Sequence, residues 1–328
     1  MSAALDTLML ATGGVPVRAL FIGAEPHPAL AGWPDLTGWQ PLKPLAAGWD
    51  RAGLRRAEDL PDGKWPLVMV LPGKSRDEAL AWFAMARDRL APGGTLRVAM
   101  PNTAGAARFE KELGKATNSI DSLQKHKCRA FHAIENGAWN EEIFTEWRAL
   151  GDRRDVSGFT VEAGIFSSDH IDPGSQLLAD HLPAHLHGHV ADLGAGWGFL
   201  SDAVLKRCPK IARLDLYEAD ARALDCARRN LSGNPQEIRF HWHDVTTGLP
   251  EVYDAIVMNP PFHTGSTVHA GIALALFTEA ARVLRPGGEL WTVYNSHLQY
   301  RPALTRVVGE TRQAGRNDKF TVTVSTRR

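Results

Sequence analysis

Residues 189–198, HVADLGAGWG, read as a buried strand that runs directly into a glycine-rich turn. A helical pattern begins near Phe199. A strand, a glycine turn and a helix in this order are typical of a doubly wound α/β domain, in which the glycines let backbone approach a ligand above the helix N-terminus. The nicotinamide-binding fingerprint requires glycine at the position of Phe199, so the turn departs from that pattern.

Polar residues stand at the ends of four successive predicted strands. They are Asp192, Glu218, Asp244 and Asn259, which end or follow the strands at 189–192, 212–218, 238–243 and 253–258. The carboxyl ends of parallel strands meet at one edge of a sheet, and we therefore expect these side chains to lie together. An acid on the second strand can accept both ribose hydroxyls, and Asp244 could accept a hydrogen bond from an adenine amino group. A single such acid is more often a helix cap, so the prediction depends on all four.

The fourth of these strands runs into Asn259-Pro260-Pro261-Phe262. Proline lacks a backbone donor and forces the preceding residue into an extended conformation, so the pair ends the strand and fixes the backbone beyond it. The Asn259 amide and the Asn259 and Pro260 carbonyls are then expected to point outward beside the Phe262 ring. This corner suits a flat group with an exocyclic NH2, and an ordinary strand-to-loop turn with a core phenylalanine is the alternative.

Two stretches of the chain repeat one pattern. Residues 84–98, AMARDRLAPGGTLRV, and residues 278–293, TEAARVLRPGGELWTV, each predict a helix, a tight Pro-Gly-Gly turn and a strand. The repeat includes two further pairs of segments, 18–24 with 189–195 and 68–72 with 257–261. A duplicated α/β domain explains the repeat, and turns shared by unrelated α/β domains are the alternative. We predict domains at 1–153 and 154–328.

The two halves differ where a polar site would lie. In this alignment Phe21 stands opposite Asp192, Glu25 opposite Gly196 and Val70 opposite Asn259. The first half is therefore expected to keep the fold and to have lost the site, and the chemistry is expected in the second half.

The composition of the chain limits which partners and which cell compartment are expected. The chain of 328 residues has 37 basic and 37 acidic side chains, so any nucleic acid must be met by a local basic patch. The three cysteines lie far apart, which indicates a reducing compartment without disulfides. The N-terminus lacks the basic start of a signal peptide, and no apolar run is long enough for a membrane helix. We expect a cytoplasmic protein.

Together these motifs resemble the class I S-adenosylmethionine-dependent methyltransferases. Asp192-Leu193-Gly194-Ala195-Gly196 resembles their glycine-rich motif, and Asn-Pro-Pro-Phe resembles the motif of members that methylate a planar amino nitrogen. Further stretches are similar to the ribosomal RNA guanine-N2 methyltransferases of the RsmC/RlmG type: AGIFS at 163–167, DPGSQLL at 172–178, HTG at 263–265, NSHLQY at 295–300 and the basic KHKCR at 125–129. A tandem arrangement with a degenerate first domain fits that family too.

The resemblance implies methyl transfer from S-adenosylmethionine to the exocyclic N2 of a guanine in ribosomal RNA, with the small subunit favoured. It implies three sets of site residues. The catalytic residues are Asn259, Pro260 and Phe262. The cofactor-binding residues are Asp192, Gly194, Ala195, Gly196, Glu218, Asp244, Val245 and Asn259. The substrate-binding residues are Pro261, Phe262, His263, Lys125, Lys127 and Arg129. The expected partner is ribosomal RNA or a ribosomal subunit, met by a monomer that needs no metal, and the first domain is given an RNA-binding or stabilising role.

Other functions remain open at this point. A glutamine-N5 protein methyltransferase shares the Asn-Pro-Pro-aromatic motif but usually has tyrosine where this chain has Phe262. A DNA adenine-N6 methyltransferase differs in its nucleic acid. An inactive RNA-binding or assembly module is the non-enzyme alternative, and failure to bind S-adenosylmethionine would favour it.

Overall fold

A computed structural model describes residues 2–260 and 267–328, and for residues 267–270 it describes the backbone alone. The chain divides into two compact units, Met1–Arg153 and Arg154–Arg328. Each unit contains a seven-stranded sheet flanked by helices. In the described parts of the chain, no helix combines the length and apolar character that crossing a membrane requires.

The sheet of the first unit has the strand order β3-β2-β1-β4-β5-β7-β6. Its strands are β1 Ala19–Ile22, β2 Leu36–Trp39, β3 Arg56–Ala57, β4 Trp65–Val70, β5 Leu90–Pro101, β6 Asp121–Lys125 and β7 Cys128–Ile134. Its helices are α1 Ala3–Thr12, α2 Lys43–Arg51, α3 Arg76–Asp88, α4 Ala106–Thr117 and α5 Glu141–Leu150. The first five strands are parallel, and β7 and β6 complete the sheet in antiparallel fashion.

The second unit opens with a hairpin, β8 Arg154–Val156 and β9 Phe159–Val161. The strands that follow are β10 His187–Leu193, β11 Lys210–Glu218, β12 Glu237–Trp242, β13 Tyr253–Met258, β14 Leu284–Asn295, β15 Gly309–Arg316 and β16 Phe320–Arg327. The helices are α6 Pro173–His181, α7 Phe199–Arg207, α8 Ala221–Asn230, α9 Thr267–Val283 and α10 Arg301–Val307. The order β12-β11-β10-β13-β14-β16-β15 repeats that of the first sheet, and the predicted fold class of two tandem doubly wound α/β domains is confirmed.

The central strands of both sheets are apolar on both faces. In β13, Val257 packs in one hydrophobic cluster, while Ile256 and Met258 pack in the cluster on the opposite face. Helices cover both faces of such a sheet, so its strands read as continuous apolar runs rather than as an alternation. This burial makes the strand ends the places where polar groups are tolerated.

The repeated Pro-Gly-Gly stretches mark the same irregularity in both sheets. They begin β5 and β14, and the pairing register of the preceding strand shifts at the equivalent point in each case. A Cβ on Gly94 would lie 2.8 Å from the Ala91 carbonyl oxygen, and one on Gly288 would lie 2.9 Å from that of Arg285. Only glycine fits such a close backbone approach. The predicted tight turn is therefore present, as an unpaired excursion within the first residues of each strand.

The strand registers correct one part of the sequence alignment. Ile22 pairs with Val70 in the first sheet, and Leu193 pairs with Met258 in the second. Val70 is thus the counterpart of Met258, and the residue that matches Asn259 is Leu71. The repeated Val-Met letters had aligned the two strands one residue out of step. Because Leu71 is as apolar as Val70, the polar group is missing from the first unit in either alignment.

Candidate active site

The four parallel strands β12, β11, β10 and β13 bring the predicted polar tips to one edge of the second sheet. Leu193 pairs with both Tyr217 and Met258, and Glu218 pairs with Trp242. The backbone N–H of His243 also donates to the Glu218 carbonyl at 2.9 Å. These registers place the ends of all four strands side by side, as predicted, at the switch point of the strand order, where open α/β sheets bind ligands.

The glycine turn between β10 and α7 has an open side. Gly194 and Gly196 have φ values of 76° and 55°, and a Cβ on either would meet no atom of the described residues within 4 Å. The turn is tied to β11, since the N–H groups of Gly194 and Ala195 donate to the Tyr217 carbonyl at 2.8 and 3.1 Å. Positive φ and open space together leave backbone available for a ligand next to the start of α7.

The equivalent turn of the first unit is filled. A Cβ on Gly23 would lie 2.8 Å from the Trp82 ring and would also clash with the Leu71 carbonyl. The space that is open at Gly194 is thus occupied by protein at Gly23. The first unit keeps the sheet and has lost the room for a ligand at this edge.

Glu218 is bonded to the glycine turn. Its Oε2 accepts the Gly196 N–H at 2.8 Å, and its Oε1 accepts the Asp220 N–H at 2.8 Å. Burial raises the pKa of Glu218, while these backbone donors oppose that rise. A carboxylate oxygen has more than one acceptor direction, so each keeps capacity for a ribose hydroxyl.

Asp192 is fully buried and does not line the cavity beside the turn. Its Oδ2 accepts the Ser201 hydroxyl at 2.7 Å, and its Oδ1 has no partner among the described residues. Burial raises the pKa of Asp192 to about 7, against the lowering effect of Ser201. The structure therefore places this predicted cofactor residue beneath the turn and outside the cavity.

Asp244 is a helix cap as well as a strand tip. Its Oδ1 accepts both the backbone N–H and the hydroxyl of Thr246, at 3.0 and 2.6 Å. No described donor contacts its Oδ2, which therefore remains an open acceptor. The Val245 side chain is buried in the core, so only its main chain is available to a cofactor.

Asn259 uses both hydrogens of its side-chain amide inside the protein. Nδ2 donates to Asp172 Oδ2 and to Ser175 Oγ, each at 2.8 Å. No donor in residues 2–260 and 267–328 contacts the amide oxygen, Oδ1. Pro260 is buried, and Pro261, Phe262 and His263, which were predicted to bind substrate, lie outside the described residues.

One cavity of about 30 Å³ is lined by Gly194, Ala195, Gly196 and Asn259 of the predicted residues, whereas Asp192, Glu218, Asp244 and Val245 do not line it. Its walls come from the Phe166 loop, the start of α6, the glycine turn with α7, and the end of β13: Phe166, Ser167, Asp172, Ser175, Gly194, Ala195, Gly196, Trp197, Phe199, Leu200 and Asn259. Sequence reasoning did not place Asp172 or Ser175 in the site. Both residues belong to the motif at 172–178, whose letters predict a helix cap and do not report the contact with Asn259.

The predicted RNA-binding cations of the first unit lie in and beside one hairpin. Lys125 and Lys127 are exposed at the turn between β6 and β7. No described carboxylate forms an ion pair with either lysine. Arg129, by contrast, pairs with Glu110, so its charge is largely offset within the unit. Among the described residues, no cluster of three His, Cys, Asp or Glu side chains could hold a metal ion.

The second unit is similar to a known protein family. The family model described as "Methyltransferase small domain" matches residues 157–324. The ribosomal RNA small subunit methyltransferase C of Ectopseudomonas mendocina is 38% identical over 316 residues, which are 89% of this chain and 92% of the relative. That of Pseudomonas aeruginosa strain UCBPP-PA14 is 34% identical over 80% of this chain and 79% of the relative.

Two further similarities differ in extent. The ribosomal RNA large subunit methyltransferase G of Alcanivorax borkumensis is 41% identical over 167 residues, which are 50% of this chain and only 43% of that relative. A solved structure of a T. thermophilus 16S rRNA N2 methyltransferase with AdoMet and guanosine aligns with a TM-score of 0.84 at 23% identity, covering 100% of this chain and 92% of that one. The last similarity establishes that the fold of both units is shared.

Proposed function

Since the chain belongs to the methyltransferase small domain family, together with ribosomal RNA small subunit methyltransferase C, we propose that it transfers a methyl group from S-adenosylmethionine to the exocyclic N2 of a guanine in small-subunit ribosomal RNA. The observation that carries this proposal is the Asn259 amide. Its nitrogen is committed to Asp172 and Ser175, and its oxygen is left as an acceptor beside the glycine turn.

The residues at the sheet edge fit the chemistry of this cofactor. The open backbone at Gly194 and Gly196 can lie against an extended ligand, and Glu218 can accept ribose hydroxyls. Asp192 Oδ1 is buried and does not line the cavity, so it would contact the ammonium group of the cofactor only if the turn above it moved. The cavity of about 30 Å³ is far smaller than the cofactor, so its binding would require the walls of the cavity to move.

When bound, the cofactor supplies an electrophilic methyl group on a sulfonium leaving group. The protein must mainly align the acceptor, and such alignment can be worth roughly 7–11 kcal/mol. Guanine N2 is a weak nucleophile because its lone pair is delocalised into the ring. Asn259 Oδ1 and the Pro260 carbonyl would accept its two hydrogens and favour the positive charge that grows on nitrogen during transfer. Water can then take the proton, so no general base is required.

The nucleobase must reach this corner outside a duplex. We therefore expect a single-stranded or flipped-out guanine, with Phe262 stacked on the base and contributing about 1–3 kcal/mol. Pro261 and His263 are proposed to complete the substrate contact. Lys125 and Lys127 are proposed to bind RNA phosphates in the first unit, with a smaller share for Arg129 because of Glu110.

The proposed reaction also bears on metal dependence, oligomeric state and location. Methyl transfer from a sulfonium needs no Lewis acid, and we propose a metal-free enzyme that acts as a monomer. A cytoplasmic location is proposed because the substrate is ribosomal RNA.

Labelled cofactor tests the function directly. The enzyme is incubated with methyl-labelled S-adenosylmethionine and separately with small-subunit particles, large-subunit particles, free ribosomal RNAs, duplex DNA and a release factor. We expect label in small-subunit RNA, on a guanine that nucleoside analysis identifies as N2-methylguanosine. Label in the release factor or on DNA adenine, or no transfer to any RNA, would contradict the proposal.

A further inference from the structure

Asp172 holds two groups beside the cavity with one carboxylate oxygen. As the residue before α6, it caps the helix, and its Oδ2 accepts the Ser175 N–H at 2.7 Å. The same oxygen accepts the Asn259 amide at 2.8 Å. Asp172 thus connects the N-terminus of α6 to a residue 87 positions later in the chain, at the end of β13.

The packing around this carboxylate leaves little freedom. A Cβ on Gly174 would lie 3.0 Å from Asp172 Oδ2 and 3.1 Å from the ring of Phe320, which begins β16. Glycine therefore allows the first turn of α6 to pack closely against both groups. The helix N-terminus also favours a carboxylate at this position. Asp172 Oδ2, which accepts from Asn259, is held in place because the same carboxylate caps α6.

A carboxylate selects one of the two orientations of the Asn259 amide. The oxygen and nitrogen of an asparagine side chain have nearly the same shape, so only hydrogen-bond partners distinguish them. An ionised carboxylate only accepts, whereas the Ser175 hydroxyl can either accept or donate. If the amide were reversed, its oxygen would face Asp172 Oδ2 and the bond between them would be lost. Of these two partners, Asp172 alone discriminates.

We propose that Asp172 is the positioning residue of this active site, acting through Asn259 to present an amide oxygen, rather than an NH2 group, to the substrate. The inference rests on the proposed function and deepens it, because a reversed amide would oppose a donor to the donor group of an amino-bearing base. The carboxylate thereby makes the site an acceptor for exocyclic amines, and it does so without contacting the base.

Substitutions at one position separate capping from positioning. Asp172→Ser keeps a side chain that can cap α6 and accept the Ser175 N–H, but it is too short to reach Asn259. We expect kcat on small-subunit RNA to fall at least about tenfold, with little change in the KM for S-adenosylmethionine. Asp172→Asn retains an oxygen acceptor of the same length and should recover part of the lost rate. Asp169→Ser, which removes an exposed aspartate of the same loop, is the matched control and should stay within about twofold of wild type.

A second measurement reports the amide itself and needs no substrate. In a proton–nitrogen spectrum, the Asn259 side-chain NH2 is assigned by its absence from Asn259→Ala. We expect slow solvent exchange of its hydrogens in wild type and fast exchange with a shifted resonance in Asp172→Ser. Ser175→Ala provides a second test if Asp172→Ser fails to fold, because it leaves Asp172 and the helix cap in place. We expect Ser175→Ala to keep the Asn259 NH2 protected from exchange and to lower kcat by less than about tenfold.

The two readouts distinguish the possible failures. Unchanged kcat and an unchanged NH2 resonance in Asp172→Ser would overturn the positioning role. A KM increase for S-adenosylmethionine that accounts for the whole loss would also overturn it, since that is the result of a general structural defect. The Asn259 NH2 could be protected in an Asp172-dependent manner while the wild-type enzyme does not methylate ribosomal RNA. That result would support the positioning role of Asp172 and reject the proposed substrate.

Discussion

Ser201 donates its hydroxyl hydrogen to the Asp192 carboxyl group across 2.7 Å, in a place that solvent does not reach. Burial raises the pKa of Asp192 from 3.8 to about 7 in the folded protein. The folded state therefore binds a proton more tightly than the unfolded chain does. Between about pH 4 and pH 7 this difference lowers the free energy of unfolding as the pH rises.

Asp192→Asn should remove this pH dependence. Relative to wild type, we expect the variant to gain about 1–3 kcal/mol in unfolding free energy between pH 4.5 and pH 8, because its amide never ionises. Urea denaturation at several pH values measures the difference. A gap between variant and wild type that stays constant with pH would contradict the raised pKa.

Glu218→Ala should weaken cofactor binding. The change removes the acceptor of the Gly196 and Asp220 N–H groups and the proposed acceptor of the ribose hydroxyls. We expect the Kd for S-adenosylmethionine, measured by isothermal titration, to rise at least about tenfold. Glu237→Ala, at an exposed acid of the neighbouring strand, is the matched control. Equal affinities in the two variants would contradict the assignment of Glu218.

Gly194→Ala should separate strain from cofactor contact. Gly194 and Gly13 have φ values of 76° and 74°, and in the part of the chain that the structure describes a Cβ on either would meet no atom within 4 Å. Each substitution should cost about 1–3 kcal/mol of stability, because a positive φ is unfavourable for alanine. We expect only Gly194→Ala to raise the Kd for S-adenosylmethionine, because only that Cβ would enter the cofactor space. A similar Kd for both variants would exclude close backbone approach at Gly194.

Charge reversal at the β6–β7 turn should weaken RNA binding. We expect Lys125→Glu/Lys127→Glu to reduce the slope of log Kd against log salt by about two, because each lysine is proposed to neutralise one RNA phosphate. S-adenosylmethionine binding should not change. Lys206→Glu/Lys210→Glu makes the same change in net charge on the second unit and serves as the control. RNA affinities that fall equally in both variants would indicate a general charge effect.

Much of the fold followed from local patterns. The glycine turn at 194–198, the apolar run before Asn259 and the two Pro-Gly-Gly stretches each depend on neighbouring residues only, and each marks a real feature of the sheets. The alignment of Val70 with Asn259 was wrong, because matching letters cannot report strand register. The pairing of Ile22 with Val70 and of Leu193 with Met258 fixes it.

Less of the site than of the fold could be predicted from the sequence, because its contacts join residues that are distant in the chain. Asp172 looks like an ordinary helix cap, and its second role depends on Asn259, which is distant in the chain and adjacent in the fold. Asp192 belongs to the motif that predicts a cofactor contact, but burial and the Ser201 bond depend on how α7 packs on β10. Long-range contacts of this kind leave no local signal.

Methyl transfer is proposed to depend on the Asn259 side-chain oxygen, which accepts the exocyclic amine of the base. Single-turnover methylation of small-subunit RNA by Asn259→Ala, with S-adenosylmethionine binding measured by titration on the same protein, tests it most directly. We predict a rate lower by about 10²–10³-fold with a cofactor Kd within about threefold of wild type. An unchanged rate, or a loss of rate that follows entirely from weakened cofactor binding, would contradict this role of Asn259.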